Sequence, residues 1–347
     1  MVGKYIASFL IAGMMAGCSS PNAAEAEERA QIRAVGSSTV FPFTRAVAEQ
    51  FHRKYPQYKA PSLESTGTGA GMRLFCGGVG FAHPDLESAS RRITPAELDQ
   101  CRANGVAKVI ELEIGLDGLA FAQSPAAPVI DLSAKQIYEA LAANPYGRPN
   151  RTQRWSEIDP GFPDIPILVY GPPATSGTRD ALADLLMIAG CDSDPAMRAL
   201  KTSNENRHRA VCTTVRTDGR YVDSGEDDDR VTQQVIVNPG AIGIFGYSYL
   251  DKNRDKMRGV AIGGIAPTEA AIVSGRYPGA RPLYLYLKGE HVGMVPGLKE
   301  FVAEYVAATG PDTYLAKIGL IPAPQPIRDR VLRAANGLAP LAPAALH

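Results

Sequence analysis

Beyond its first twenty residues, the sequence lacks any hydrophobic run long enough to span a bilayer. It also lacks an excess of charge of one sign, because 36 basic residues balance 36 acidic ones. The first absence predicts a soluble body, and the second argues against a general nucleic-acid or membrane-surface binder. With 45% hydrophobic and 21% charged residues among 347, the composition is that of an ordinary globular protein, and the length favours about two domains.

Motifs of several common enzyme classes are missing as well. There is no GxxxxGK[ST] phosphate-binding loop and no GxSxG nucleophile elbow, and Met72 occupies the place of the last glycine of a GxGxxG motif. The cysteines contain no CxxC and the histidines lack ligand spacing, which argues against a zinc site or a thioredoxin-like site. We therefore expect no catalytic residue, no metal site and no cofactor.

The N-terminal segment predicts export. An apolar run over residues 6–17 follows Lys4 and suits the h-region of a signal peptide. The run ends in Met15-Ala16-Gly17-Cys18, which resembles a bacterial lipobox, so residues 1–18 are predicted to be a lipoprotein signal peptide with Cys18 as the lipidated residue. Cleavage within residues 21–26 is the alternative. Either way the protein is expected in the periplasm or cell envelope, with residues 19–32 as a flexible tether.

The remaining cysteines agree with export. Cys76, Cys101, Cys191 and Cys212 form an even set, which in an oxidising compartment suggests two disulfides. Three pairings are possible, and the local pairs Cys76–Cys101 and Cys191–Cys212 are favoured. Each would close a loop of about two dozen residues and contribute roughly 3 kcal/mol in the chain-entropy account.

Strand-like and helix-like patterns alternate along the chain, which predicts an α/β fold. A long extended stretch over residues 109–122 contains Gly115 and Gly118 and is expected to carry the chain from one lobe to another. The tail from Ala334, rich in Ala, Pro and Leu, is predicted to be disordered.

One local design occurs three times, each time between a predicted strand and a predicted helix. Ser and Thr hydroxyls lie where the helix should begin, and glycines allow tight turns. The free N–H groups and the positive dipole end of such a helix attract anions, so three such loops together predict a converging oxyanion site. The loops are Gly36-Ser37-Ser38-Thr39-Val40, Ser65-Thr66-Gly67-Thr68-Gly69-Ala70-Gly71 and Gly171-Pro172-Pro173-Ala174-Thr175-Ser176-Gly177-Thr178.

Charged residues near these loops extend the predicted site. Arg91, after Ser90, and Arg179 could meet a tetrahedral oxyanion through two parallel N–H bonds. A surface position is the alternative for each of these arginines. In the acidic run 226–229, Asp227 is a further candidate, because a carboxylate that accepts the proton of phosphate would distinguish phosphate from sulfate.

At these loops the sequence resembles the phosphate-binding subunit of phosphate ABC transporters over residues 33 to 325. The resemblance implies a two-lobed type II periplasmic-binding-protein fold with a hinge and a central ligand cleft. It rests on Val35-Gly36-Ser37-Ser38-Thr39-Val40-Phe41-Pro42, Gly67-Thr68-Gly69 before Phe75-Cys76, Ala89-Ser90-Arg91, Gln153-Arg154-Trp155-Ser156-Glu157-Ile158, Thr175-Ser176-Gly177-Thr178-Arg179, Asn238-Pro239-Gly240-Ala241-Ile242-Gly243, Gly246-Tyr247-Ser248-Tyr249 and Arg281-Pro282-Leu283-Tyr284.

The resemblance also implies which residues bind phosphate. They are Ser38, Thr39, the Val40 N–H, Thr68, Ser176, the Gly177 N–H and Thr178. Two positions depart from the family pattern, since Arg91 stands where many members have a proton-accepting Asp, and Pro172-Pro173 stand where they have an Arg. Arg91 and Arg179 are expected to replace that charge, which leaves the proton acceptor unassigned.

The family's chain path implies a discontinuous first lobe, residues 33–113 with 252–333, and a second lobe, residues 114–251; residues 334–347 form the tail. The leading function is binding of inorganic phosphate and delivery to the permease of an ABC importer by a lipid-anchored monomer that binds no nucleic acid. The alternatives are a phosphate-ester hydrolase, with Ser38 or Ser176 as nucleophile, and a surface or adhesion protein that reuses the fold.

Overall fold

The computed structural model of the protein describes residues 31–225 and 227–346. The predicted signal peptide and Cys18 lie outside the described residues. Ile32, the last residue of the predicted tether, is buried in a hydrophobic core and so belongs to the folded body; residues 19–30 of that tether lie outside the described residues. Across the described ranges, no helix combines the length and the apolar character that a membrane crossing requires.

Strands and helices alternate through most of the chain, as the sequence predicts. The strands are β1 (Arg33–Gly36), β2 (Ser62–Ser65), β3 (Leu86–Ala89), β4 (Val109–Gln123), β5 (Asp131–Leu132), β6 (Val169–Gly171), β7 (Tyr221–Asp223), β8 (Ile242–Gly246), β9 (Arg258–Gly259), β10 (Ala261–Ile262) and β11 (Ala280–Lys288).

Several helices begin at a side-chain cap that the sequence supplies. Thr94 and Glu97 form a capping box ahead of one helix, and Ser133 and Gln136 form another. The helices are α1 (Phe41–Lys54), α2 (Thr68–Phe75), α3 (Pro95–Ala103), α4 (Ala134–Leu141), α5 (Gly177–Ala181), a π-helical turn (Leu182–Met187), α6 (Ile188–Cys191), α7 (Pro195–Ser203), α8 (Glu205–Thr213), α9 (Asp228–Val237), α10 (Tyr247–Lys252), α11 (Glu269–Val273), α12 (Leu298–Ala307), α13 (Tyr314–Lys317) and α14 (Gln325–Gly337).

In the described part of the chain, nine strands form one sheet with the order β2-β1-β3-β11-β4-β8-β6-β7, and β9 pairs with β4. β1 is parallel to β2 and β3, and β6 is parallel to β7 and β8. β11 and β4 run antiparallel between the two parallel halves. The loops that follow β1, β2 and β6 therefore leave the sheet at carboxyl ends of parallel strands, where α/β folds bind ligands.

β4 carries the chain from one half of the sheet to the other. Its first part pairs with β11, and residues 119–123 pair with β8. The crossing predicted at Gly115 is therefore a continuous strand with a bulge, where the pairing of β4 with β11 shifts by one residue. Gly115 has φ +155°, and a Cβ there would lie 2.8 Å from the Ile321 carbonyl oxygen. The chain returns to the first half of the sheet along β11, which pairs with β4 and β3.

Separate hydrophobic cores fill the two halves. Phe51 and Phe301 pack edge to face in the first core, with ring centroids 5.5 Å apart. Phe121 and Trp155 are buried in the second. Burial of one such side chain stabilises the fold by roughly 1.5–3 kcal/mol. The predicted lobe boundaries stay a prediction, and side chains between Met257 and Tyr277, on the first-lobe side of the predicted boundary, pack in the second core.

Both predicted disulfides are confirmed. Cys76–Cys101 joins the end of α2 to α3, and Cys191–Cys212 joins α6 to α8, with Cα–Cα distances of 4.1 and 5.5 Å. All four residues are buried. The pairs close short loops between neighbouring helices, which is why the local pairing is the one that forms.

The C-terminal segment differs from its prediction as a disordered tail. α14 continues through Ala334 to Gly337, and the Leu341 N–H donates to the Val109 carbonyl at 2.7 Å. Leu341 and Leu346 pack against the core around Met72, and Arg92 donates to the Ala345 carbonyl at 2.7 Å. Two leucine side chains and two hydrogen bonds to the backbone therefore hold this segment on the body.

Candidate functional site at three loops

The first loop joins β1 to α1 and turns at Gly36, whose φ is +131°. Ser37 is buried, and its Oγ accepts the Thr39 N–H at 3.2 Å. α1 begins after Val40 without a side-chain cap. The predicted hydroxyl cap is therefore wrong for this helix, and Ser38 and Thr39 direct their hydroxyl groups elsewhere.

The second loop joins β2 to α2. α2 begins after Gly67, also without a side-chain cap, so the hydroxyl cap predicted here is wrong too. The Thr68 Oγ1 accepts the Ser90 N–H at 3.1 Å and lies 3.1 Å from the Ser90 Oγ. The structure thus brings Thr68 and Ser90, both predicted site residues, into one hydrogen-bonded pair at the ends of β2 and β3.

The third loop joins β6 to α5, and here the predicted cap is confirmed. The Ser176 Oγ accepts the Thr178 N–H at 3.2 Å. The Tyr221 hydroxyl donates to the Pro172 carbonyl at 2.6 Å and fixes the start of the loop. Burial raises the pKa of Tyr221 to about 12, so this hydroxyl stays protonated near neutral pH.

The first and third loops contact each other directly, although they are far apart in sequence. The Ser38 Oγ donates to the Asp180 carboxylate, and the Thr39 Oγ1 donates to the Gly177 carbonyl at 3.0 Å. The backbones approach so closely that a Cβ on Gly177 would lie 2.5 Å from the Thr39 Cα. Hydroxyl groups from one half of the sheet therefore meet the beginning of a helix from the other half.

Arg281 is the buried cation of this junction. It lies on β11 and is only 5% exposed. Its Nη2 donates to the Thr39 Oγ1 at 2.7 Å, while its other nitrogens lie 3.4 Å from Asp117 Oδ2 and 3.7 Å from Asp184 Oδ2. A guanidinium beside hydroxyl groups can donate hydrogen bonds to an anion, and here it also faces the carboxylates of Asp117 and Asp184.

Sequence reasoning did not select Arg281 or Asp180. Arg281 stands in the segment Arg281-Pro282-Leu283-Tyr284, but a lone arginine in a strand pattern gives no sign that it is buried. It meets Thr39 across 242 positions of sequence. Asp180 directly follows Arg179, and its acidic side chain at the beginning of a helix has an ordinary explanation in the helix dipole. Only the contact with Ser38 identifies it as part of the junction.

The predicted arginines lie in different surroundings. Arg91 donates to both carboxylate oxygens of Glu97, at 2.8 and 2.7 Å, and its side chain is 44% exposed. Burial works against ionisation of Glu97, but hydrogen bonds from Arg91 and Thr94 hold the pKa of Glu97 below its ordinary value. Arg179 lies over the Tyr221 ring at 4.3 Å. The Arg179 Nη1 also donates to the Pro172 carbonyl at the start of the third loop, at 3.5 Å. Among the described residues, neither guanidinium hydrogen-bonds to Ser38, Thr39 or Gly177.

Asp227, the candidate proton acceptor, is exposed and caps α9 by accepting the Asp229 N–H at 3.0 Å. Its role in ligand binding stays a prediction. The sulfur atoms of Cys191 and Cys212 lie close to His208, in a group with the geometry of metal ligands, but these two sulfurs form the disulfide. That group therefore offers no free thiolate.

A cavity of about 420 Å³ lies apart from the three loops, against the C-terminal segment. Two arginines line it, Arg92 and Arg330, and both already pair with carboxylates, those of Glu111 and Glu113. Both guanidinium groups are therefore engaged, and no residue of the three loops lines this cavity. The junction of the first and third loops is the better candidate site.

The fold and these loops agree with what comparison with known proteins finds. A family model described as a PBP superfamily domain matches residues 21–309. The chain belongs to the PBP superfamily. The predicted α/β fold with two lobes is confirmed by this match and by the solved structures that it resembles.

Among curated relatives of this PBP-superfamily chain is "Protein SphX" of Synechococcus elongatus, 28% identical over 305 residues that cover 86% of this chain and 79% of the relative. Another is "Phosphate-binding protein PstS" of Staphylococcus saprophyticus, 25% identical over 287 residues, 81% of this chain and 77% of the relative.

Two solved structures are similar in fold. A possible phosphate-binding protein from Planctomyces limnophilus is 28% identical, covers 89% of this chain and 98% of its own, and has a TM-score of 0.71. An ABC-type phosphate transport receptor from Vibrio cholerae is 21% identical, with a TM-score of 0.57 and coverage of 84% and 99%. At that identity the second likeness concerns the fold alone.

Proposed function

We propose that this protein binds inorganic phosphate between its two lobes and delivers it to the permease of an ABC importer, without catalysing a reaction. The observation that carries the proposal is the junction of the first and third loops, where hydroxyl groups, the beginning of a helix and the buried Arg281 converge. The printed names of the relatives, among them a phosphate-binding protein and a possible phosphate-binding protein, support phosphate as the anion.

The ligand would be held by groups from both lobes. From the first lobe we assign Ser38, Thr39, the Val40 N–H and Thr68, with Ser90 beside Thr68. From the second lobe we assign Ser176, the Gly177 N–H and Thr178. Ser38 and Thr39 now donate to Asp180 and to the Gly177 carbonyl, so these bonds must exchange for bonds to the anion when it binds. A small hinge opening between the lobes would allow that exchange.

Positive charge is proposed to come first from Arg281, which is buried and already donates to Thr39. Arg91 and Arg179 remain proposed contributors. Arg91 would have to leave Glu97, and Arg179 would have to leave the face of Tyr221, to reach an anion at the junction. Arg281 needs no such movement, which is why we rank it first.

Asp180 is the proposed acceptor of the phosphate proton. Its carboxylate accepts a hydrogen bond from the Ser38 hydroxyl at the junction, so an anion bound there would lie beside a second negative charge. Hydrogen phosphate can donate its proton to that carboxylate, whereas sulfate has none to donate and is repelled. This selection assigns to Asp180 the role that the sequence left open.

The contact between Ser38 and Asp180 is also the one observation that favours a hydrolase, because a carboxylate next to a hydroxyl could act as a base. The histidines that could serve that purpose are engaged elsewhere, His208 with Asp192 and His291 with Asp85. The same protein incubated with p-nitrophenyl phosphate decides between the two functions, since steady release of p-nitrophenol by wild type but not by Ser38→Ala would support the hydrolase.

Export, lipidation of Cys18 and a monomeric state are part of the proposal and rest on the sequence. Incorporation of labelled palmitate in the wild type but not in Cys18→Ser tests the anchor. A single sedimenting species of about 37 kDa or less would agree with a monomer, because the full chain has a mass of 36.9 kDa.

The binding proposal is tested by calorimetric titration of the mature body with phosphate, arsenate and sulfate. We expect one saturable site for phosphate and weaker or absent heat for sulfate. Absence of heat with phosphate up to millimolar concentration would contradict the proposed function, and equal affinity for sulfate would contradict the role of Asp180.

A further inference from the structure

Glu87 is a fully buried carboxyl group that lies directly behind the first and second loops. It occupies the middle of β3, between Val35 of β1 and Tyr286 of β11 in the register of the sheet, and its exposure is 0%. Its position is built by two glycines: a Cβ on Gly71 would lie 2.2 Å from the Glu87 Oε2, and a Cβ on Gly36 would lie 2.8 Å from it. The carboxyl therefore fills the space that two missing side chains leave.

Neither oxygen of Glu87 has a hydrogen-bond partner among the residues that the structure describes. An ionised carboxylate in such surroundings is strongly disfavoured, so the group holds a proton instead. Burial raises the pKa of Glu87 well above its ordinary value, the charge of Glu97 raises it further, and Arg91 lowers it. Arg91 cannot fully neutralise Glu87 because both of its terminal nitrogens donate to Glu97.

In the described part of the chain, the residues seen against Glu87 from β1, α2 and β11 are uncharged. β1 and α2 present Gly36 and Gly71 to the carboxyl. From β11, the side opposite, comes Tyr286, whose hydroxyl donates to Glu111 at 3.0 Å, and burial raises the pKa of this tyrosine far above its ordinary value. The proton on Glu87 thus depends on burial and on the Arg91–Glu97 pair. An anion held by the loops in front of it would add a further negative charge nearby.

We propose that Glu87 couples oxyanion binding at the first and second loops to a proton on its own carboxyl: the site accepts an oxyanion while Glu87 is neutral and loses affinity when Glu87 ionises. The inference rests on the proposed function, in that it requires an anion at these loops. The reason is electrostatic, since two negative charges that share the low-dielectric space behind the loops repel far more than they would in water. Glu87 acts here as a specificity residue rather than as a ligand.

The test is the phosphate Kd of wild type and Glu87→Gln between pH 5 and pH 9. Phosphate changes its own protonation in this range, but equally for both proteins, so the ratio of the wild-type Kd to the variant Kd isolates the carboxyl. We expect the ratio to be constant at low pH and then to rise, by up to tenfold for each pH unit above the pKa of Glu87 in the free protein. Glu64→Gln, which removes an exposed carboxylate from β2 before the second loop, is the matched control and should give a flat ratio.

A flat ratio for Glu87→Gln, with both proteins binding phosphate, overturns the inference and leaves the proposed function intact. A measurement without ligand further separates failure of the inference from failure of the proposed function. Because the folded pKa of Glu87 is raised, its stabilising contribution is present below the ordinary glutamate pKa of about 4.3 and is lost as the pH rises towards the raised value. The melting temperature of wild type should therefore fall relative to Glu87→Gln as the pH rises, and a constant difference would also overturn the inference. If that fall is seen but neither protein binds phosphate, the proposed function fails and the coupling fails with it.

Discussion

Gly177→Ala tests whether the close approach of the first and third loops is part of ligand capture. Gly177 is the first residue of α5. A Cβ there would lie 2.5 Å from the Thr39 Cα, 2.7 Å from the Thr39 nitrogen and 2.9 Å from the Ser38 carbonyl carbon. Carbon atoms pack favourably at about 3.5 Å or more, so the loops must separate by about 1 Å to admit the methyl group.

The cost of that separation should fall on binding rather than on folding. Overpacking of this kind costs about 1–3 kcal/mol, and each 1.4 kcal/mol changes an equilibrium constant tenfold. The liganded form must bring the Gly177 N–H and the Thr39 hydroxyl within reach of one anion, so the phosphate Kd rises about 5- to 150-fold if the methyl group holds these two residues apart. The unliganded protein can relieve the clash by a hinge movement, and alanine is a better helix former than glycine, so the free energy of unfolding should change by less than about 1 kcal/mol.

The assay is calorimetric titration with phosphate, together with guanidinium unfolding of the unliganded protein. Gly69→Ala is the matched control, because it lies in the second loop and a Cβ there meets only the Arg73 Nη1, at 3.9 Å. We expect this control to bind phosphate within about twofold of wild type. Wild-type affinity for Gly177→Ala would refute the reasoning that the junction closes around the ligand.

Three further predictions concern charged groups. Arg281→Met should weaken phosphate binding by tenfold or more, since a charge-assisted hydrogen bond is worth about 1.5–3 kcal/mol. If calorimetry shows this loss of affinity for Arg91→Ala and not for Arg281→Met, the positive charge comes from Arg91. Asp180→Asn should reduce the preference for phosphate over sulfate at least tenfold in competitive titration, and an unchanged preference would remove Asp180 as the proton acceptor. Burial lowers the pKa of Lys288 to about 8, so its charge destabilises the fold below pH 8. That cost, about 3 kcal/mol, disappears as the pH rises from 8 towards the ordinary lysine value of about 10.4. Chemical unfolding of Lys288→Met should show no such rise relative to wild type, and parallel pH profiles for the two proteins would show that the reasoning is wrong.

Features encoded within short stretches of sequence could be predicted. The three loops follow strands and precede helices as expected, because Gly, Ser and Thr at these positions are needed locally for the turn. The disulfides could be predicted for a similar reason, since the cysteines of the two pairs are only 25 and 21 residues apart in the chain. Arg91 shows the limit of local reasoning: Thr94 and Glu97 are readable as a capping box, and the Glu97 carboxylate that completes the box also binds Arg91.

Features that depend on the meeting of distant segments could not be predicted. Arg281 contacts Thr39, Asp117 and Asp184 only because β11 returns beside β4 in the middle of the sheet. Glu87 reads as an exposed position in a strand of four residues, and its burial follows from the absence of side chains at Gly36 and Gly71 on two other elements. Three-dimensional packing decides the contacts of Arg281 and the burial of Glu87, and no sequence pattern within either segment indicates them.

The most direct test of the central claim is a crystal structure of the protein grown with phosphate. We expect a tetrahedral anion at the junction of the first and third loops, within hydrogen-bond distance of Ser38 or Thr39 from one lobe and of residues 176–178 from the other. An anion bound instead in the cavity at Arg92 and Arg330, with the loops in contact as before and no anion between them, would contradict it.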